Sequence, residues 1–215
     1  MQEHYTYVFR DMMKMYNISN KEQALQYIRV IRKEIVCMFL LFLISAVIGY
    51  ITAIMYPDMV IRSLEELEGL VELLKNLSLI EIMFLIFLNN ALKSLLILVL
   101  GVGLGIVPFL FIAYNGYFLG IFSHKIIMEQ GSLYLVAGIL PHGIIEIPMV
   151  VISAAIGLRL GFKALASLKG RSVHLKEEII TGVKFFFYWI MPLLLVAAAV
   201  ETFITSGIIG LLSQM

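Results

Sequence analysis

A single cysteine, Cys37, among 215 residues leaves no partner for an internal disulfide. A disulfide-built scaffold is therefore excluded, and nothing follows about redox compartment. Charge is nearly as scarce: Asp, Glu, Lys and Arg make up 14% of the chain, against roughly 25% in ordinary soluble domains. With a formal net charge of +1, this rules out a basic nucleic-acid binder, and so much apolar surface rules out a disordered tail protein. Enzyme motifs are missing too, with no His-Glu-x-x-His, no Gly-x-Ser-x-Gly and no Walker loop. Gly101-Val-Gly-Leu-Gly105 is no nucleotide fingerprint, since no strand precedes it, and close helix packing is the better account of it. What is present is hydrocarbon: 61% of residues are hydrophobic and the mean hydropathy is +0.97. The chain is expected to be an integral protein of the plasma membrane, with the lipid bilayer as its first partner and no nucleic acid.

A crossing needs about 20 mostly apolar residues. Residues 35–56 meet that without an internal charge. Residues 79–160 are apolar long enough for three crossings, divided by Gly101, Gly103 and Gly105 and by the polar stretch from Ser123 to Ser132. A last block runs over 183–212 with a kink expected at Pro192. Lys and Arg mark cytoplasmic ends. Arg10, Lys14, Lys21, Arg29, Arg32 and Lys33 precede the first span, and Arg159, Lys163, Lys169, Arg171, Lys176 and Lys184 precede the last. The segment between Pro57 and Ser78 carries Asp58, Glu65, Glu66, Glu68 and Glu72 against only Arg62 and Lys75. An outer segment and an inner one require an odd number of crossings between them, and three satisfies both length and parity. The expectation is thus an all-α, polytopic helical bundle of about five transmembrane helices with its N-terminus inside. A cytoplasmic amphipathic segment (1–34) precedes a single transmembrane domain (35–215), with a cytoplasmic loop at about 161–182. Asn20 is placed to cap a helix with Leu25, Ile28, Ile31 and Ile35 on one face. An external amphipathic helix at about 58–78 has Ser63 and Glu66 at capping-box spacing, and either lies on the membrane or docks a partner.

A charged side chain at mid-bilayer costs about 2.5–3.5 kcal/mol on insertion scales, so each must be paired, hydrated or used. Counting inward from the span ends places Asn89, Asn90 and Lys93 at mid-depth on the second span, Asn115 on the third, His142 and Glu146 on the fourth and Glu201 on the fifth. His142 and Glu146 are four apart and share a helix face. Pro141 and Pro148 bracket them and each removes a backbone donor, so a helix break is expected near Pro141, with a second near Asn115-Gly116. If Glu146 and Glu201 both ionise, Lys93 alone cannot neutralise them, which implies a bound proton, a protonated His142 or a bound cation. The competing account is that these groups only hydrogen-bond the helices together. His142, Glu146 and Glu201 also form a weak metal-ligand set, weak because no second histidine shares their layer.

The segment Leu140-Pro-His-Gly-Ile-Ile-Glu-Ile-Pro148 resembles the stage II sporulation protein M (SpoIIM-like) family of membrane proteins. Asn115-Gly-Tyr-Phe-Leu-Gly120, Gly157-Leu-Arg-Leu-Gly161 and Ala197-Ala-Ala-Val-Glu-Thr202 carry the same likeness, which covers about residues 80–212 and, more loosely, the first span. The resemblance implies a polytopic protein without assigned catalytic activity. In endospore formers the named member acts with cell-wall hydrolases during engulfment, as a membrane anchor. Relatives occur where no spores form, so no sporulation role is carried over. The resemblance places weight on Asn115, His142, Glu146 and Glu201.

Three functions compete at this point. The first is a non-enzymatic scaffold or assembly factor for a membrane or cell-envelope complex, with other membrane proteins or a second copy of the chain as partners. The second is a transporter or channel-like protein using Glu146 and Glu201 as proton or ion sites. The third is an intramembrane metal-binding enzyme. No cofactor is expected beyond a proton or cation at the carboxylates.

Overall fold

A computed structural model describes residues 18–57 and 77–214. The expected external helix and its Ser63/Glu66 cap fall almost wholly outside the described residues, as does the chain before Ile18. Among the described residues five helices are long and apolar enough to cross a membrane: α2 (Arg32–Met55), α3 (Leu79–Leu100), α4 (Ile106–Gln130), α5 (Ser132–Leu168) and α6 (Leu175–Leu212). A shorter α1 (Lys21–Val30) precedes them. No strand occurs among the described residues.

Local chemistry sets the ends. Asn20 caps α1 by accepting a hydrogen bond from Glu22 N at 3.3 Å. The buried face of α1 is Ala24 and Tyr27, continuing to Ile31, whereas Leu25 is exposed. Ser78 and Glu81 form a reciprocal capping box that starts α3. The turn 101–105 joins α3 to α4, with Leu104 and Gly105 at φ 60° and 76°. A β-carbon resists that left-handed backbone and glycine does not. At the other end a single residue, Gly131 at φ 93°, separates α4 from α5. The polar stretch from Ser123 to Gln130 is therefore helical rather than a connection.

Backbone proximity holds the bundle. α2 lies along α4 because Gly49 faces the Tyr117 carbonyl, Gly116 the Phe42 carbonyl and Gly120 the Ala46 carbonyl, so the two backbones touch without side chains between them. Gly157 and Gly161 of α5 receive the turn between α3 and α4 in the same way, opposite Gly101 and Gly105. Below the middle of the bundle Met38, Ile97, Ile112, Val151, Ala154 and Ala155 form a closed apolar core. A second core joins α1, α3, α5 and α6 through Tyr27, Leu98, Ile156, Phe186 and Ile190. Trp189 Nε1 donates to Ile18 O at 2.8 Å and ties the chain before α1 to the last span.

Two expected helix interruptions are absent. α5 runs unbroken through Pro141 and Pro148. Each proline deletes one backbone bond, but inside a bilayer the neighbouring peptide groups gain nothing by unwinding, since no water would receive them. α4 likewise runs through Asn115. Asn115 Nδ2 donates to Phe111 O one turn back at 2.8 Å, and Gly116 is a packing position rather than a hinge.

The irregularity sits in α6 instead. The α-helical pieces Leu175–Phe185, Met191–Ala199 and Ser206–Leu212 are separated by wide π turns at Phe186–Ile190 and Val200–Thr205. The first lies immediately before Pro192, whose ring would clash with a normal preceding turn; widening that turn makes room for it. α5 and α6 also extend into the segment read as a cytoplasmic loop, leaving only residues 169–174 between them.

Candidate functional site

α5 contributes His142 and Glu146, one turn apart on a single face, and the second π turn of α6 contributes Glu201. One ring nitrogen of His142 and one oxygen from each carboxylate all lie within 4.8 Å of one another. All three residues are half-buried. The structure thus places Glu146 of the fourth span and Glu201 of the fifth side by side.

The π turn explains how Glu201 gets there. Ser206 N–H reaches back five residues to the Glu201 carbonyl, and Ser206 Oγ donates to the same oxygen at 3.2 Å. The extra residue in the turn rotates the following face, and Thr205 comes opposite the imidazole with Oγ1 3.4 Å from His142 Nδ1. Thr205 is a site residue that the sequence did not reveal, because its place opposite His142 depends on the π turn.

A cavity of about 420 Å³ opens beside these groups, and Phe42, Asn115, His142, Glu146, Val151 and Glu201 are among the residues that line it. Asn115 thus faces the same cavity. Its amide nitrogen is committed to the Phe111 carbonyl, which leaves Oδ1 as the atom able to serve a ligand.

Asn89, Asn90 and Lys93 do not join it. They share the depth but not the direction: Asn89 and Lys93 are exposed on α3, none of the three lines the cavity, and Asn89 Nδ2 donates to Asn90 Oδ1 at 3.2 Å. Ala91, Ser94, Ile97 and Leu98 take the inward face of that helix.

A second polar group lies at the opposite end of α5. Arg159 grips Glu178 with two hydrogen bonds, Nε to Oε2 and Nη2 to Oε1, both 3.0 Å, and its Nη1 is 3.6 Å from Glu34. Lys163 Nζ adds a contact to Glu178 at 3.3 Å. Read from sequence as cytoplasmic cations before the last span, Arg159 and Lys163 are helical residues whose ion pairs join α2, α5 and α6.

The family model for stage II sporulation protein M matches residues 38–206. The chain belongs to this family. It is similar, at 32% identity over 124 residues, to an uncharacterized protein of the archaeon Methanocaldococcus jannaschii; the match takes in 56% of this chain and 70% of the relative. No solved structure matches it.

Proposed function

We propose that this SpoIIM-family membrane protein is a transporter- or channel-like protein that handles a proton or cation at His142, Glu146 and Glu201. It acts without covalent chemistry of its own. One observation carries the reading: two carboxylates and an imidazole from two different spans lie together beside a cavity within the membrane region. Interhelical adhesion alone does not call for that arrangement. Two carboxylates side by side in a low-dielectric setting repel unless a positive charge or a proton lies between them. Helices held together by polar contacts gain only about 0.6 kcal/mol per contact on average, and a neutral pair would supply that without the repulsion.

The test is flux in sealed proteoliposomes of purified protein, loaded with a pH-sensitive or cation-sensitive dye and given a transmembrane gradient. Wild type is expected to dissipate the gradient faster than empty vesicles. Glu146→Gln/Glu201→Gln should lower that rate at least tenfold while eluting as the same species in size exclusion. Wild-type rates equal to those of empty vesicles would defeat the proposal.

A second reading, the assembly factor, rests on a separate observation. Asn89 and Lys93 present polar groups at mid-depth on a face this chain leaves exposed, and such groups in hydrocarbon favour a partner helix that supplies acceptors. Other membrane or envelope proteins, or a second copy of the chain, fit that role. The two readings are compatible because they use different faces.

A further inference from the structure

We propose that the occupant of the His142–Glu146–Glu201 cluster is a divalent first-row transition metal ion of the Mn²⁺ to Zn²⁺ type, admitted from the outer side of the membrane. This rests on the ion-handling reading above and specifies its ligand and its direction of access.

Charge comes first. Two ionised carboxylates and a neutral imidazole carry −2, which one divalent cation cancels, so the loaded site has no net charge to bury. A monovalent ion leaves one negative charge in the bilayer. Donor chemistry narrows the choice further. Mg²⁺ and Ca²⁺ prefer sets made only of oxygens, whereas an imidazole nitrogen beside carboxylates suits Mn, Fe or Zn. The donor atoms lie within 4.8 Å of one another; with bonds of about 2.1 Å a tetrahedral ion needs them roughly 3.4 Å apart. A modest closure of α5 on the π turn of α6 supplies the difference. Thr205 Oγ1 against His142 Nδ1 orients the ring and leaves Nε2 to ligate, as second-layer partners of metal-bound histidines do. Asn115 lines the same cavity, and its Oδ1 is an oxygen donor on that wall.

Access follows from a second cavity. A space of about 500 Å³ shares Phe122, Gly138, Ile139, His142 and Glu201 with the first and continues past Gln130 and Tyr134 at the α4–α5 junction. The opposite end of α5 carries Arg159 and Lys163, so by the charge rule the junction faces outside. In the inward direction the path stops at Met38, Ile112 and Ala154, which have no exposed surface. Among the described residues the two cavities therefore lead toward that junction.

The test uses the full-length protein, purified in detergent and stripped with chelator. Calorimetric titration with MnCl₂ and ZnCl₂ should show one site per chain, with MgCl₂ at least a hundredfold weaker. His142→Ala, Glu146→Gln and Glu201→Gln should each weaken binding at least tenfold. X-ray absorption on metal-loaded wild type, which depends on no variant folding, should show a nitrogen and oxygen shell with one imidazole. Absent binding, binding unchanged in all three variants, or a shell lacking imidazole would overturn the metal assignment. If metal fails to bind yet proteoliposomes still carry a Glu146-dependent proton flux, the metal inference falls and the ion-handling reading stands. If both are absent, both fall.

Discussion

Arg159→Met should destabilise the bundle by about 3 kcal/mol in a reversible denaturant titration, the scale on which breaking a buried ion pair acts. The side chains concerned are 15% exposed for Arg159, 12% for Glu178 and 15% for Glu34. Removing the guanidinium strands two carboxylates among α2, α5 and α6, with Lys163 still in contact with Glu178. Tyr27 offers no relief: burial, and next the nearby Glu178 carboxylate, push its hydroxyl up from its ordinary value, so it stays neutral. The double variant Arg159→Met/Glu178→Leu should recover most of the loss, because an intact pair and a well-packed apolar pair are often close in energy. A double variant as unstable as the single one would show that Arg159 contributes through packing alone.

Gly120→Leu should have a larger effect and prevent the native bundle from forming in detergent. Even a β-carbon there would collide with the Ala46 carbonyl and crowd Tyr50 N at 2.7 Å, both backbone atoms that cannot rotate away. Overpacking typically costs 1–3 kcal/mol where side chains can adjust, and here α2 and α4 must separate along their length. Gly207→Leu is the matched control, since nothing lies within 4 Å of a β-carbon at that glycine. The check is the fraction of each variant recovered as a monodisperse species. Equal recovery would mean that the α2–α4 contact is not what the glycines maintain.

Much of this arrangement was legible before any coordinates, and the parts that were not share a cause. Span number followed from hydropathy and charge parity, because both depend only on composition along the chain. His142, Glu146 and Glu201 were found by their cost in hydrocarbon, which is also independent of fold. Asn89, Asn90 and Lys93 were found by the same cost but assigned the wrong direction. Depth can be counted along a helix, whereas facing depends on which neighbours pack, and the small residues Ala91 and Ser94 were the available clue. The prolines misled for a related reason. Pro141 and Pro148 report a missing donor, and whether the helix yields is decided by the solvent around it. The π turn at Val200–Thr205 leaves no residue signature, so the rotation that brings Glu201 and Thr205 to His142 could not be foreseen. The turn at Phe186–Ile190 was flagged only indirectly, by Pro192.

The central claim is that the carboxylate cluster is reached from outside and sealed from the cytoplasm. Its most direct test is thiol accessibility at Gly138→Cys in a Cys37→Ser background. Gly138 lines both cavities, and a β-carbon there meets only Ile209 Cδ1 at an ordinary 3.7 Å. A membrane-impermeant maleimide should label this cysteine in right-side-out vesicles and not in inverted ones, with ZnCl₂ slowing the reaction and a buried Ala154→Cys control unlabelled from either side. Labelling from the cytoplasmic side alone, or from neither side, would contradict the account.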